Sequence, residues 1–173
     1  PPVADLPGSG SESNPYEIST VRELQAIRDD RGANYELVSD VNASRTDRWN
    51  GGAGFAPIGY DDFESPQKFT GSFDGRNYTV SNLTVNRPEE NDVGLFGAVG
   101  ATGTVANVSL TDVNITGNAG VGGLAGDNAG TVSNSSVAGT LVATSTSGFV
   151  YAGGLVGSND GTVNESSATV TVN

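Results

Sequence analysis

Two hydrophobic periods divide this chain. In residues 16–31, YEISTVRELQAIRDDR, the apolar positions Val21, Leu24, Ala26 and Ile27 recur at helical spacing. Ser19 or Thr20 is placed to cap this helix, and Glu23 stands at capping-box distance from Thr20. Gly32 can end it. No other stretch carries a helix signal. A short strand follows at 35–38, and Asp40-Val41-Asn42 reads as a turn leading out of it. Residues 45–68, with Trp49, two adjacent glycines, Pro57 and Asp61-Asp62, show no period. They read as a long loop folded over the start of the next element.

From residue 69 the pattern becomes short alternating strands, and it repeats. VSNLTV at 80–85 matches VANVSL at 105–110, VSNSSV at 132–137 and VNESSA at 163–168, in steps of 25, 27 and 31 residues. A second block, Gly-Leu-x-Gly, begins at Gly94, Gly123 and Gly154, and each copy leads through a turn to Gly-Thr-Val. The first copy has Phe73-Asp74-Gly75 in its place. Strands 113–116 and 140–143 lie between the blocks. A repeat of this length, with glycine turns, suits one coil of a parallel β-solenoid, whose rungs stack about 4.8 Å apart. On this reading Val80, Val105, Val132 and Val163 form one interior column and Leu95, Leu124 and Leu155 another. The glycines mark places of positive φ or close backbone approach.

The predicted fold is therefore all-β: a right-handed parallel β-helix with an N-terminal α-helical cap. The expected organisation is a linker or mature N-terminal tail at 1–13, a cap with helix and long loop at 14–68, and solenoid repeats at 69–173. The cap would cover the open strand edge of the first rung. Nothing after Val172 looks like a second cap, so the stack is expected to continue in a longer parent chain or to polymerise head to tail.

These residues resemble the GLUG-motif family of glycine-rich repeats. The resemblance lies in GGLAGDNAGTVSNSS at 122–136 and GGLVGSNDGTVNESS at 153–167. It extends to a leader made of NPYEIST at 14–20, YELVSDVN at 35–42, PIG at 57–59 and FTGSFDGRNYTVSNLTV at 69–85. It implies secreted or cell-surface adhesins with β-helical segments, and it brings no catalytic residues with it. The chain departs from the pattern at Gly94-Leu95, where one of the paired glycines is missing.

Composition narrows the chemistry. With no Cys, His or Met, the chain has no thiol nucleophile, imidazole base or Cys/His zinc site. Its net charge is −12, from 20 acidic and 8 basic residues, and no basic residue follows Arg87. Nucleic acids and anionic membranes are thereby disfavoured as partners. No apolar run approaches the roughly 18 residues of a membrane span, and no secretory leader is visible. Acid excess with Lys68 as the single lysine points to a haloarchaeal type of composition, in which salt screens the repulsion between carboxylates.

Paired carboxylates occur at Asp61-Asp62 and Glu89-Glu90, but neighbours in an extended segment point to opposite sides and do not converge as an acid/base couple. The Asp127-Asn128 and Asn159-Asp160 turns could offer oxygens to Ca²⁺, yet their spacing matches no calcium loop, and Asx turns account for them. No cofactor is expected. Seven Asn-x-Ser/Thr sequons stand at Asn42, Asn77, Asn82, Asn107, Asn114, Asn134 and Asn164. Asn82, Asn107 and Asn134 share a repeat column and are expected to form a buried amide ladder. Asn114, flanked by Val113 and Ile115, should face solvent. Asn114, Asn164 and Asn77 are thus the glycan candidates, ahead of Asn42, Asn82, Asn107 and Asn134.

The function read from sequence is a non-catalytic, extracellular surface or filament module for adhesion or assembly in a high-salt organism. Its expected partners are copies of itself or further repeats, and surface glycans. The alternative is a carbohydrate-binding or depolymerising β-helix of the tail-fibre kind.

Overall fold

A computed structural model describes residues 2–61, 66–145 and 148–173. The chain winds as a parallel β-solenoid. One sheet stacks Tyr16–Ile18, Asn34–Leu37, Ser72–Asp74, Thr104–Ala106, Thr131–Ser133 and Thr162–Asn164. A second stacks Val41–Asn42, Thr79–Ser81, Ser109–Gly117, Ser136–Ala143 and Ser167–Val172, with Thr84–Arg87 also paired to the third of these. A third holds Phe96–Val99, Ala125–Asn128 and Val156–Asn159, and Val121–Gly122 pairs with Ala152–Gly153 between the last two coils. Every strand pair in these sheets is parallel.

The core runs the length of the stack because inward positions repeat. Val105 pairs Val132, which pairs Val163. Leu95 and Leu124 are fully buried, and the Leu124 amide donates to the Leu155 carbonyl at 2.9 Å. Toward the N-terminal end the column changes from valine to aromatic residues. Tyr16, Tyr35 and Phe73 occupy successive rungs below Val105. Phe69 and Phe96 fill the space beside them, with ring centroids 4.9 Å apart. Rings this close gain from tilted packing beyond their buried area.

That register corrects one alignment. Val80 does not lie under Val105; it pairs with Leu110 in the adjoining sheet, while Phe73 takes the place under Val105. The physical reason is that two corners share the same sequence signature. Asn77 and Asn82 both have positive φ, at 64° and 59°. Asn77 donates its amide to the Asn107 carbonyl at 2.8 Å, whereas Asn82 donates to Thr111 at 2.9 Å, one corner further on. A Val-x-Asn match fits either corner, and inward packing selects between them.

The helix forms at Val21–Ala26 with Thr20 as its cap, and a single 3₁₀ turn, Ile27–Asp29, extends it. Glu23 accepts from the Ser19 and Thr20 amides at 2.7 and 2.9 Å, and its own amide donates to Thr20 Oγ1 at 3.3 Å. Burial by itself would raise the Glu23 pKa, but the hydrogen bonds from Ser19 and Thr20 outweigh it and hold the carboxyl below its usual range. The helical cap is minor. It links two strands that already belong to the first sheet, so leader and repeats share one stack.

Two segments read as irregular take part in the ladder. Val41–Asn42 is a strand paired with Val80-Ser81, because Val41 points inward as the first rung of its sheet. Through 45–68, two 3₁₀ turns within Ser44–Gly52, separated by a kink at Trp49-Asn50-Gly51, lead to a strand-like run in which Ile58 bridges Phe96 in parallel; Phe69, just beyond it, bridges Val99 in the same way. Phe55, Ile58 and Phe69 are fully buried and form part of the interior.

The Gly-Leu-x-Gly glycines are there for close approach. A Cβ on Gly126 would lie 2.2 Å from the Asp92 carbonyl carbon, and one on Gly97 would lie 2.2 Å from the Gly59 oxygen. Neither glycine has positive φ, so steric room is the whole reason for them.

Candidate functional site

The left-handed asparagines mark the most regular polar feature of the surface. Asn77, Asn107 and Asn134 stack at the corner between the first and second sheets, and Glu165 continues the column; all four have positive φ. Asparagine suits such a corner because it tolerates the left-handed region better than most side chains. The buried amide ladder expected at Asn82, Asn107 and Asn134 is not formed. Asn82 and Asn134 are exposed, and Asn107 is half-buried with its amide donating to Asp74 Oδ1 at 2.9 Å. These positions are conserved in the repeat by backbone conformation, which needs no side-chain ladder.

An amide ladder does exist elsewhere. Asn128, fully buried, donates from Nδ2 to Asn159 Oδ1 at 2.7 Å. Its own Oδ1 accepts from the Gly130 amide at 3.2 Å, which is an Asx turn. Asn159 donates from its own Nδ2 to the Gly161 carbonyl at 3.3 Å. The amides are thus occupied in closing successive turns.

A groove of about 360 Å³ runs along the asparagine corner, lined by Asn77, Asn107, Ser109, Asn134, Ser136 and Glu165. Its serines are mutually engaged. Ser109 and Ser136 share a hydrogen bond of 2.7 Å across neighbouring rungs. Ser135 donates to the Ser133 carbonyl at 2.7 Å and accepts from the Val108 amide at 3.3 Å. The chain contains no histidine to activate a hydroxyl, and what this face offers is hydrogen bonding from amides and hydroxyls with the single carboxylate of Glu165.

The other sequons fall on outward positions. Asn114 is exposed between buried Val113 and Ile115, as alternation requires, and Asn77 and Asn164 are exposed as well. Asn42 is exposed, with its Oδ1 accepting from the Ser44 amide at 2.9 Å.

The fold brings together acids that no sequence motif linked. Lys68 Nζ lies 2.7 Å from Asp61 Oδ2 and 3.5 Å from Asp127 Oδ2. Asp92 faces the same cluster. Its pKa is pushed up to about 6, first by burial and then by the charges of Asp127 and Asp61, with Lys68 opposing. Hydrogen bonding to Asp61 raises the Lys68 pKa against its burial, and the charges of Asp61 and Asp127 add to that rise. The lone lysine therefore sits where three coils crowd carboxylates together. The signal that could have found this cluster, a lysine in an otherwise lysine-free chain, was present but gave no partner. Among the described residues no group of three or more carboxylates has the geometry of a metal site. Asp62, one half of an acidic pair read from sequence, lies outside the described residues. Glu89 and Glu90 are both exposed, and Glu90 pairs with Arg87 at 2.7 Å.

Comparison with known proteins gives three informative likenesses. The chain is 40% identical over 139 residues to halomucin of Haloquadratum walsbyi, which covers 78% of this chain but 2% of halomucin. It is 37% identical over 135 residues to a putative Gly-rich membrane protein of Evansella cellulosilytica, covering 75% of this chain and 15% of that protein. It is 33% identical over 120 residues to an immunoglobulin A1 protease of Streptococcus sanguinis, covering 68% of this chain and 6% of the protease. The chain thus spans a small fraction of the curated relatives it matches. No family model matches it, and no solved structure does.

Proposed function

We propose that this chain is a non-catalytic, extracellular surface module that serves adhesion or assembly in a high-salt organism. The observation that carries this reading is the register of the stack. Thr104–Ala106, Thr131–Ser133 and Thr162–Asn164 lie residue for residue in line, as do the valine and leucine columns beneath them. Such a structure grows by adding identical coils, each needing only its neighbour. In the coil from Ala152 to Val172, Leu155, Val156, Val163 and Val170 are only partly covered, whereas Leu124, Ala125 and Val132 one rung below are fully buried. A further coil, or a copy of the same chain, would cover them.

The acidic composition and the 40% identity to halomucin support a surface protein of a saline habitat. The outward asparagines Asn114, Asn164 and Asn77 are the positions we assign to glycans, and peptide mapping of secreted protein would test that assignment. For assembly, light scattering and negative-stain microscopy in molar NaCl are decisive. Concentration-dependent rods are the expected result. A monodisperse monomer at every concentration would remove self-assembly and leave adhesion through the lateral faces.

A further inference from the structure

All eight basic residues lie between Arg22 and Arg87, and the fold gathers three of them around one cleft. The cleft has a volume of about 590 Å³ and lies between the helix, the Trp49-Asn50 turn and the end of strand Thr84–Arg87. Arg22, Gln25, Arg28, Trp49 and Arg87 line it, with Asp29 as the one carboxylate of the lining. That volume is within the range of small-molecule sites, roughly 300–1,000 Å³.

Each part of the cleft is held in place. The Gln25 side chain donates to the Ala56 carbonyl at 2.8 Å and accepts from the Ala56 amide at 2.9 Å, which fixes the helix against the opposite wall. The Arg22 guanidinium lies over the Trp49 ring, 5.7 Å from its centroid. A cation–π contact of this kind restrains the guanidinium while leaving its N–H groups free to meet a ligand. Arg87 is anchored by Glu90 at 2.7 Å and by the Phe55 carbonyl at 3.3 Å. The Arg28 guanidinium is exposed, and no hydrogen bond or ion pair ties it to another described residue. A chain of net charge −12 thus brings three guanidinium groups to a single cleft that has one carboxylate in its lining.

We propose that this cleft binds an acidic saccharide through its carboxylate. Guanidinium forks match a carboxylate in two-point hydrogen bonding, which is more selective than simple charge attraction. Geometry of that kind also survives salt, where long-range steering is screened within about 3 Å at 1 M. Asp29 can accept from sugar hydroxyls, and the indole edge of Trp49 offers an apolar surface to ring C–H groups. Residues 88–173 carry no basic side chain, so that half of the stack offers an anionic sugar no cation. The proposal goes beyond assembly and stands whether or not the chain forms rods.

Titration calorimetry of the whole chain against trigalacturonate, in 0.2 M and 2 M NaCl, tests it. The fully methyl-esterified trimer and triglutamate serve as controls. Binding of trigalacturonate at both salt concentrations is expected, with no binding of the ester and at least a tenfold weaker response to triglutamate. Arg28→Ala and Arg22→Gln should each weaken binding at least tenfold. Arg28 is exposed and its guanidinium is tied to no described residue, so the Arg28→Ala melt should match the parent, while Arg22→Gln, which loses the contact with Trp49, should melt no more than a few degrees lower. No heat with trigalacturonate, equal affinity for triglutamate, or an Arg28→Ala protein that binds like the parent would each overturn the assignment.

Discussion

Asp92→Asn should make this protein more stable at neutral pH and leave it unchanged in acid. Asp92 is half-buried and faces Asp127 and Asp61, so its carboxyl titrates near pH 6 instead of at the ordinary value of 3.8. A carboxyl whose pKa is raised by folding binds its proton more tightly in the native state. Its favourable contribution is therefore complete below about pH 4 and is lost as pH rises through 6. A rise from 3.8 to about 6 corresponds to about 3 kcal/mol between the two protonation states. Partial exposure and screening by solvent reduce this, and we expect about 1 kcal/mol at pH 7. For a domain of this size that is roughly 2–4 °C in the melting midpoint. The measurement is a pair of melting series for parent and variant from pH 3.5 to 8. Asp92 has a positive φ of 54°, which asparagine tolerates, so any backbone benefit is independent of pH and appears as a constant offset. Adding 2 M NaCl should shrink the difference without abolishing it, since salt screens Asp127 and Asp61 but not the burial. A variant whose stability relative to the parent is the same at pH 4 and pH 7 would refute the reasoning.

Four further outcomes rest on the packing and the charge. Leu124→Ala should cost about 3 kcal/mol, because a fully buried leucine stacked between Leu95 and Leu155 leaves a cavity the rigid rungs cannot close. Leu155→Ala, only partly covered, should cost roughly half of that in the same denaturant titration. Glu23→Gln should destabilise the native state by about 0.5–1 kcal/mol at pH 7 by weakening the capping box. Folding lowers the Glu23 pKa, so this difference should be complete above the ordinary glutamate value and be lost as pH falls through the lower native value in an acid melting series. Finally, the melting midpoint should rise by several degrees between 0.1 M and 2 M NaCl, and equal midpoints would show that the acid excess imposes no repulsive cost.

The sequence by itself determined the repeat, the β-solenoid, the interior valine and leucine columns and the capping box at Thr20 and Glu23. These are local or periodic signals. An alternating strand must turn one face inward, and identical apolar residues at a fixed interval imply stacked coils. Asn114 between Val113 and Ile115 could be placed on the outer face for the same reason. Tertiary structure decided what depends on which coil lies beside which. It moved Val80 from the Val105 column to Leu110, because Val-x-Asn describes two different left-handed corners equally well. It replaced the buried ladder at Asn82, Asn107 and Asn134 with left-handed corners that are exposed or half-buried, since positive φ leaves no mark that separates it from side-chain pairing. The buried Asn128–Asn159 pair, the meeting of Lys68 with Asp61 and Asp127, and the gathering of Arg22, Arg28 and Arg87 around Trp49 join residues far apart in the chain. No local period encodes such contacts, and only the winding of the coils brings their charges and amides within reach.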